Sequence, residues 1–169
     1  MAELGAWVAQ QVTEEQAELI KTFTATFSVA IEPLGSVLFC HGSPRSDEEI
    51  LTAATPEDRI RAICAGISED VVVCGHTHHQ FDRTLAGKRI VNAGSVGLAY
   101  EGKPGLACWA LIGPDIELRQ AFYDLDQAAR RFKEAGCPRA AEYASELQSP
   151  PSADEVAKHF EKTAQEQHS

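Results

Sequence analysis

The apolar run VVVC at residues 71–74 has no polar face. A strand with one side in water alternates apolar and polar residues, so an unbroken run predicts a strand that is covered on both sides. The segment SVLFC at residues 36–40 is a second strand of the same kind. Covered strands need further layers on either side of their sheet, so the sequence predicts an α/β fold.

Turn and cap signals mark the other elements. Thr13 and Gln16 form a capping-box pattern that predicts a helix over residues 13–23. A second helix is predicted to start at Thr55, where a proline and two acidic residues follow, and to run to about Gly66. Strand pairs are predicted around turns at residues 33–35, 86–88 and 113–115. The strands therefore cluster in the middle of the chain.

The carboxyl end changes to helical periodicity. Apolar residues at helical spacing start at Leu125, and a second helical stretch is predicted to end at Leu147. Ser152 and Glu155 form a capping box that opens a last helix. We therefore predict one domain over residues 1–149 and a helical tail over residues 150–169 that is docked or partly frayed.

Composition limits the possible partners and locations. The 169 residues carry a formal net charge of -10, which disfavours nucleic acid and anionic membranes because both surfaces are rich in phosphate. No window approaches the ~20 apolar residues of a membrane span, and the amino terminus lacks the basic start of a signal peptide. A cytoplasmic location is the expectation. The five cysteines stand singly, which disfavours a disulfide framework and a zinc ribbon.

Histidines follow both covered strands. His41 comes directly after SVLFC, while His76 and His78 follow VVVC and Gly75. Ligands gather at the carboxyl ends of strands in open α/β sheets, and side chains two apart on extended backbone point the same way. These imidazoles are therefore predicted ligands of a divalent cation such as zinc, manganese or iron, and the alternative for any one of them is an ordinary surface imidazole. The remaining histidines are predicted surface groups: His79, His159 and His168.

Three motifs occur in order: HGSP at residues 41–44, CGHTH at residues 74–78 and VNAGSVG at residues 91–97. In that order they resemble the carboxyl-terminal portion of a calcineurin-like metallophosphoesterase of the small bacterial phosphodiesterase type, over roughly residues 13–147. The resemblance implies a two-sheet β-sandwich flanked by helices, with two metal ions (Mn, Fe, Zn or Ni) that promote attack of water on a phosphate ester. By position, it makes His41 and His76 ligands of one metal and His78 a ligand of the other.

The family also carries motifs that this chain lacks: Asp-x-His, Gly-Asp-x-x-Asp with a metal-bridging aspartate, and Gly-Asn-His. The first aspartate here is Asp47, the only asparagine is Asn92, and no histidine precedes His41. Two divalent ions about 3.5 Å apart repel by about 20 kcal/mol at an effective dielectric constant of ~20, and neutral imidazoles do not offset that repulsion. We therefore expect a partial sandwich without its amino-terminal strands and at most one metal in this chain alone.

Two nearby segments offer further contacts to the site. Residues 47–49 (DEE) either turn toward the metal or begin a solvated helix. Asn92 and Gly94 lie in a loop of small residues whose backbone N–H groups suit a phosphate, so they are predicted substrate contacts, with a tight turn between strands as the alternative. Cys40 and Cys74 are expected to be buried.

Three functions fit these features. The first is metal-dependent hydrolysis of phosphomono- or phosphodiesters, with this chain inactive alone because half of the metal ligands are absent. The second is a non-catalytic interaction module on the same fold, since uncovered strands and apolar faces bind partners. The third is a mononuclear zinc hydrolase on His41, His76 and His78. The first two predict a homo-oligomer or a complementing chain as the partner.

Overall fold

The computed structural model describes residues 2–167, so the predicted surface residue His168 lies outside it. Within these residues, seven strands form a five-stranded and a two-stranded sheet, and six helices surround them. The strands are β1 (Thr26–Ile31), β2 (Gly35–Cys40), β3 (Val71–Cys74), β4 (Gln80–Leu85), β5 (Lys88–Ala93), β6 (Leu106–Ile112) and β7 (Ile116–Phe122). The helices are α1 (Ala2–Gln11), α2 (Glu14–Lys21), α3 (Glu57–Ile63), α4 (Leu125–Glu134), α5 (Ala140–Gln148) and α6 (Ala153–Gln167).

The five-stranded sheet has the strand order β1-β2-β3-β5-β4. Its three inner strands run parallel, with Leu38 of β2 opposite Val72 of β3 and Val72 opposite Ile90 of β5. The outer strands β1 and β4 pair antiparallel with their neighbours. Because parallel strands end at the same edge of a sheet, the segments that follow β2, β3 and β5 are brought together there.

The five-stranded sheet is covered on both faces. One face packs against Ile60 and Ile63 of α3, and the other packs against Ile116 of the β6-β7 sheet. All four residues of β3 are buried, which confirms the covered strand predicted from VVVC. Each fully buried aliphatic side chain contributes roughly 1.5–3 kcal/mol, so these two clusters fix the sheet between its layers.

The predicted α/β fold, with two sheets flanked by helices, is confirmed. The capping box at the start of α2 is also present, because Gln16 N–H donates to Thr13 Oγ1 at 3.2 Å and Thr13 N–H donates to Gln16 Oε1 at 2.9 Å. The helix predicted to begin near residues 47–49 is absent, since these residues lie in irregular loop structure. The helix α1 was not predicted, because its sequence has no cap signal.

The last helix is docked on the fold over its described length. Val156, Ala157 and Ala164 are buried, and Glu161 accepts hydrogen bonds at 2.6 Å from the hydroxyls of Thr52 and Thr55. Arg59 of α3 reaches the same carboxylate, with Nη1 2.8 Å from Oε2. Of the two predicted states of this helix, the structure shows the docked one. The domain boundary between residues 149 and 150 stays a prediction.

No helix within residues 2–167 combines the length and the apolar character needed to cross a bilayer. The expected cytoplasmic location stays a prediction.

Candidate metal centre

Three loops meet at the carboxyl edge of the parallel strands. His41 follows β2, the histidine turn (residues 75–79) follows β3, and Gly94 follows β5. Gly75 N–H donates to the His41 carbonyl oxygen at 2.8 Å, which joins the first two loops. Asn92 Nδ2 donates to the Gly75 carbonyl oxygen at 2.6 Å and so joins the end of β5 to the same point.

The side chains of His41 and His76 are neighbours at this edge. Their rings lie edge to face with centroids 5.3 Å apart. His41 is exposed, whereas His76 is half-buried and contacts the Phe160 ring of α6 at 6.3 Å between centroids. The two imidazoles that the resemblance assigns to one metal therefore lie together, with one side open to solvent.

The histidine turn has a different backbone from the extended one that we expected. The strand ends at Cys74, and both His76 and His78 have left-handed backbone angles, with φ 63° and 59°. Such angles cost roughly 1–3 kcal/mol for residues other than glycine, so the surrounding structure must hold them. Thr77 between them is fully buried, and its hydroxyl donates to the Leu51 carbonyl oxygen at 3.0 Å. This inward anchor holds the two flanking histidines at the sheet edge.

The imidazole of His78 has a defined orientation. Its Nδ1 lies 3.1 Å from the Leu98 carbonyl oxygen, so Nδ1 carries the proton and Nε2 keeps a free lone pair. The ring also contacts Tyr100 at 5.2 Å between centroids, and Tyr100 N–H donates to the His78 carbonyl oxygen at 2.9 Å. A carbonyl that fixes the tautomer through the distal nitrogen is the usual support of a metal-binding histidine.

The electrostatics of the turn keep its imidazoles neutral. Burial lowers the pKa of His76, and the neighbouring His41 lowers it further. Burial also lowers the pKa of His78, although the hydrogen bond to Leu98 opposes the shift. Neutral imidazole is the form that binds a divalent cation, because protonation removes the lone pair. Both side chains are therefore in the metal-binding form at neutral pH.

Carboxylates do not complete this site in the described part of the chain. Asp47 and Glu48 are exposed next to His76, and Glu49 is engaged elsewhere, by Arg45 Nε at 2.8 Å. Within residues 2–167, no three side chains of His, Cys, Asp or Glu are grouped so as to hold a metal ion. The arrangement therefore offers nitrogen ligands without the anionic oxygens that a pair of divalent ions requires.

Asn92 and Gly94, the predicted substrate contacts, both have structural partners. Asn92 is fully buried, and its Nδ2 donates to Thr77 Oγ1 at 3.0 Å as well as to Gly75. Gly94 N–H donates to Asn92 Oδ1 at 2.9 Å, and a Cβ at Gly94 would lie 2.6 Å from that of Cys108. Asn92 thus supports the histidine turn through internal hydrogen bonds, while its contact with substrate, like that of Gly94, stays a prediction.

The thiols next to the site are poor metal ligands. Cys74 is buried and Cys40 is half-buried, and both face the α3 side of the sheet. Burial raises the pKa of Cys40 to about 12 and that of Cys74 still further. Both cysteines are therefore protonated at neutral pH, as expected for packed side chains rather than for thiolate ligands.

We predicted that His79 is a surface residue, and this prediction is wrong. Only 1% of it is exposed, its ring lies 5.3 Å from that of Phe81, and neither ring nitrogen has a hydrogen-bond partner. Burial lowers its pKa, so this imidazole is neutral. The sequence carries no local signal of this burial, because the burial depends on packing between distant segments of the chain.

A cleft of about 700 Å³ is lined by two residues that contact the histidines, and the sequence did not reveal it. These two residues are Tyr100 and Phe160, and the rest of the lining includes Pro150, Pro151, Val156 and His159. The only sequence signal was the apolar spacing of Val156, Phe160 and Ala164 along α6. That spacing predicts a buried helix face, but it does not say which part of the fold the face covers.

Comparison with known proteins agrees with this architecture. A hypothetical protein of Pyrococcus horikoshii OT3 superposes with a TM-score of 0.70 at 17% identity, over 83% of this chain and 56% of that protein. A metallophosphoesterase of Sphaerobacter thermophilus superposes with a TM-score of 0.66 at 18% identity, over 84% of this chain and 65% of that enzyme. These likenesses show the fold, and the chain spans between about half and two thirds of each relative.

Comparison with curated proteins gave no match. The sequence model of the calcineurin-like phosphoesterase superfamily domain matches residues 8–112, which is more than half of the chain and includes His41, His76 and His78. The chain therefore belongs to the calcineurin-like phosphoesterase superfamily.

Proposed function

We propose that this chain supplies the imidazole half of a metal centre that hydrolyses phosphomono- or phosphodiesters. The proposal rests on one observation: His41, His76 and His78 all lie at the carboxyl edge of the parallel strands, and the ring centroids of His41 and His76 are 5.3 Å apart. Family membership supports the reaction class.

The histidines suit the ions that this family uses. His78 presents a free Nε2 because its Nδ1 is bound to Leu98, and His76 is held in the neutral form. Nitrogen ligands of this kind suit Mn, Fe, Zn or Ni. A divalent ion bound to them would supply Lewis-acid activation of the phosphoryl group. The chain's own part is to orient the imidazoles and to keep their lone pairs available.

We further propose that residues 1–169 alone have little or no activity. The described residues place no bridging carboxylate at the histidines, and two divalent ions without one repel strongly. The anionic ligands would have to come from outside this sequence, either from more of the same polypeptide or from a complementing chain. A single metal on three histidines is less favoured, since the described donors do not form a group of three.

Metal titration tests directly whether the histidines bind a divalent ion. Tag-free protein is titrated with Zn²⁺ and Mn²⁺ by calorimetry, and His78→Ala should weaken binding at least tenfold, whereas Lys133→Ala on the exposed face of α4 should leave it unchanged. Equal affinity of His78→Ala and the unmodified protein would overturn the assignment. About one bound ion per chain, with turnover of p-nitrophenyl phosphate, would favour the mononuclear hydrolase instead.

A second candidate, a non-catalytic interaction module, is favoured by exposed apolar side chains. Phe27 and Val29 of the edge strand β1 are 55% and 42% exposed, and Phe23 after α2 is 69% exposed. Apolar side chains on an open strand edge favour a homo-oligomer or a complementing chain. Sedimentation at several concentrations tests this: a monomer throughout, together with metal-dependent phosphoesterase activity, would exclude this candidate.

A further inference from the structure

We propose that the cleft between Tyr100 and α6 holds the organic group of the phosphate ester, and that this group carries an aromatic or similarly flat ring. This inference rests on the proposed function, because the phosphate itself would lie at the histidines. It assigns α6 to the substrate site, as the wall that selects the leaving group.

The position of the cleft supports this assignment. Two residues that line the cleft each contact one of the histidines: Tyr100 packs on His78 with ring centroids 5.2 Å apart, and the Phe160 ring centroid lies 6.3 Å from that of His76. A phosphate ester bound at His76 and His78 would therefore have its organic group next to these two rings. The volume of about 700 Å³ is within the range of small-molecule sites.

The chemistry of the lining favours an uncharged ring. Two aromatic side chains, Tyr100 and Phe160, line the cleft, and Pro150, Pro151 and Val156 add apolar surface. The acidic lining residue Glu155 accepts hydrogen bonds from the Ser152 backbone N–H at 2.9 Å and from its hydroxyl at 2.7 Å. No lysine or arginine is among the described residues that line the cleft. A second phosphate would therefore lack a cation there, whereas a ring could stack on Tyr100 or Phe160.

Protein contacts hold the segments that line the cleft. Glu161, next to Phe160, is bound by Thr52, Thr55 and Arg59, so this part of α6 is anchored to the core. Near Tyr100, Gly102 N–H donates to the carbonyl oxygen of the lining residue Pro151 at 3.0 Å. Contacts of this kind reduce the entropy that a ligand must remove from the lining when it binds.

Ligand-observed NMR titration of the metal-free chain tests the cleft. The probes are p-nitrophenyl phosphate and methyl phosphate, which differ in the ring alone. The unmodified protein should bind the aryl ester at least threefold more tightly, and Phe160→Leu or Tyr100→Leu should weaken aryl binding about three- to tenfold with no change for methyl phosphate. Phe122→Leu is the matched control, since Phe122 is exposed on β7 away from the cleft lining.

Two results would overturn the inference: equal affinity for the two probes, or an aryl preference that both cleft variants retain. The two substitutions lie in different segments, Phe160 in α6 and Tyr100 in the loop before β6, so misfolding of one variant, detected by circular dichroism, leaves the other as the test. A separate titration with Mn²⁺ present addresses the proposed function. If Mn²⁺ tightens methyl phosphate binding and His78→Ala abolishes the gain, the metal site stands whatever the cleft variants show. A cleft effect without any Mn²⁺ effect would instead refute the metal site alone.

Discussion

Replacing Glu161 by alanine tests whether α6 belongs to the folded core and thus to the site. The carboxylate accepts hydrogen bonds from Thr52 and Thr55 at 2.6 Å and pairs with Arg59 at 2.8 Å. The guanidinium of Arg59 also donates to the Ile50 carbonyl oxygen, so the loop before α3 and the tail helix share one polar cluster. Alanine has a high helix propensity, so the substitution removes these polar contacts and leaves the intrinsic stability of the helix almost unchanged.

The expected loss follows from the burial of this pair. Removal of one partner of a buried ion pair costs about 3–5 kcal/mol, because the other charge stays buried without a partner. The side chains of Arg59 and Glu161 keep 19% and 13% exposure, so water offsets part of the loss and we expect about 3 kcal/mol. For a chain of 169 residues, this corresponds to a fall in Tm of about 6–12 °C.

Thermal and urea unfolding, followed by circular dichroism, measure the loss. The matched control is Glu166→Ala on the same helix, where the carboxylate lies 3.9 Å from Lys162 and both side chains are largely exposed. An exposed pair of this kind contributes at most about 1 kcal/mol, so the control should melt within about 4 °C of the unmodified protein. Limited proteolysis at Lys158 and Lys162 should become faster in Glu161→Ala alone.

Equal melting temperatures of Glu161→Ala and the control would refute the reasoning. In that case α6 would not be docked in solution, and the cleft wall formed by Phe160 would lose its support. A large loss of stability without faster cleavage in α6 would show instead that Glu161 stabilises the core as a whole.

Four further predictions concern His79, Gly42 and Cys40. His79→Leu should raise the free energy of unfolding by about 1–3 kcal/mol, because it removes two buried ring nitrogens without partners at nearly equal volume, and denaturant unfolding measures it. Burial lowers the pKa of His79, so below about pH 6.5 this side chain is protonated in the unfolded chain but not in the folded one. The free energy of unfolding should therefore decrease as the pH falls below about 6.5, and it should decrease less in His79→Leu. Gly42→Ala should cost about 1–3 kcal/mol, since its Cβ would lie 2.6 Å from the Asp47 carbonyl oxygen, whereas Gly113→Ala, with open space around it, should be nearly neutral. Cys40, with a pKa of about 12, should react with a thiol reagent at pH 8 at least ~100-fold more slowly in the folded than in the unfolded protein.

The fold was predictable where local sequence and tertiary packing agree. VVVC has no polar face, and β3 is buried at every position. The reciprocal bonds of Thr13 and Gln16 depend only on residues three apart, so the start of α2 could be read directly. The same local rules failed at Thr55, which is not the cap of α3 because its hydroxyl instead binds Glu161, 106 residues away.

The position of the predicted ligands in the fold was predictable, but their local geometry was not. The motifs predict His41, His76 and His78 as metal ligands, which stays a prediction, and the parallel strand order explains why all three lie at one edge of the sheet. The left-handed backbone of His76 and His78 was not predictable, because a strand pattern with a period of two assumes extended backbone and φ is positive at both residues. The burial of His79 and the position of Phe160 over the site likewise depend on packing between distant segments, which single-sequence patterns do not encode.

The histidine turn keeps its strained backbone through hydrogen bonds to the rest of the fold. Two left-handed residues cost roughly 1–3 kcal/mol each, and three hydrogen bonds hold the turn: Thr77 to Leu51, Asn92 to Gly75 and His78 to Leu98. Thr77 and Asn92 are buried, where an unsatisfied group costs about 1–3 kcal/mol, so their hydrogen bonds oppose the strain. Under the proposed function, a segment or chain that brought carboxylates to this edge would meet a His78 imidazole that its hydrogen bond to Leu98 already orients.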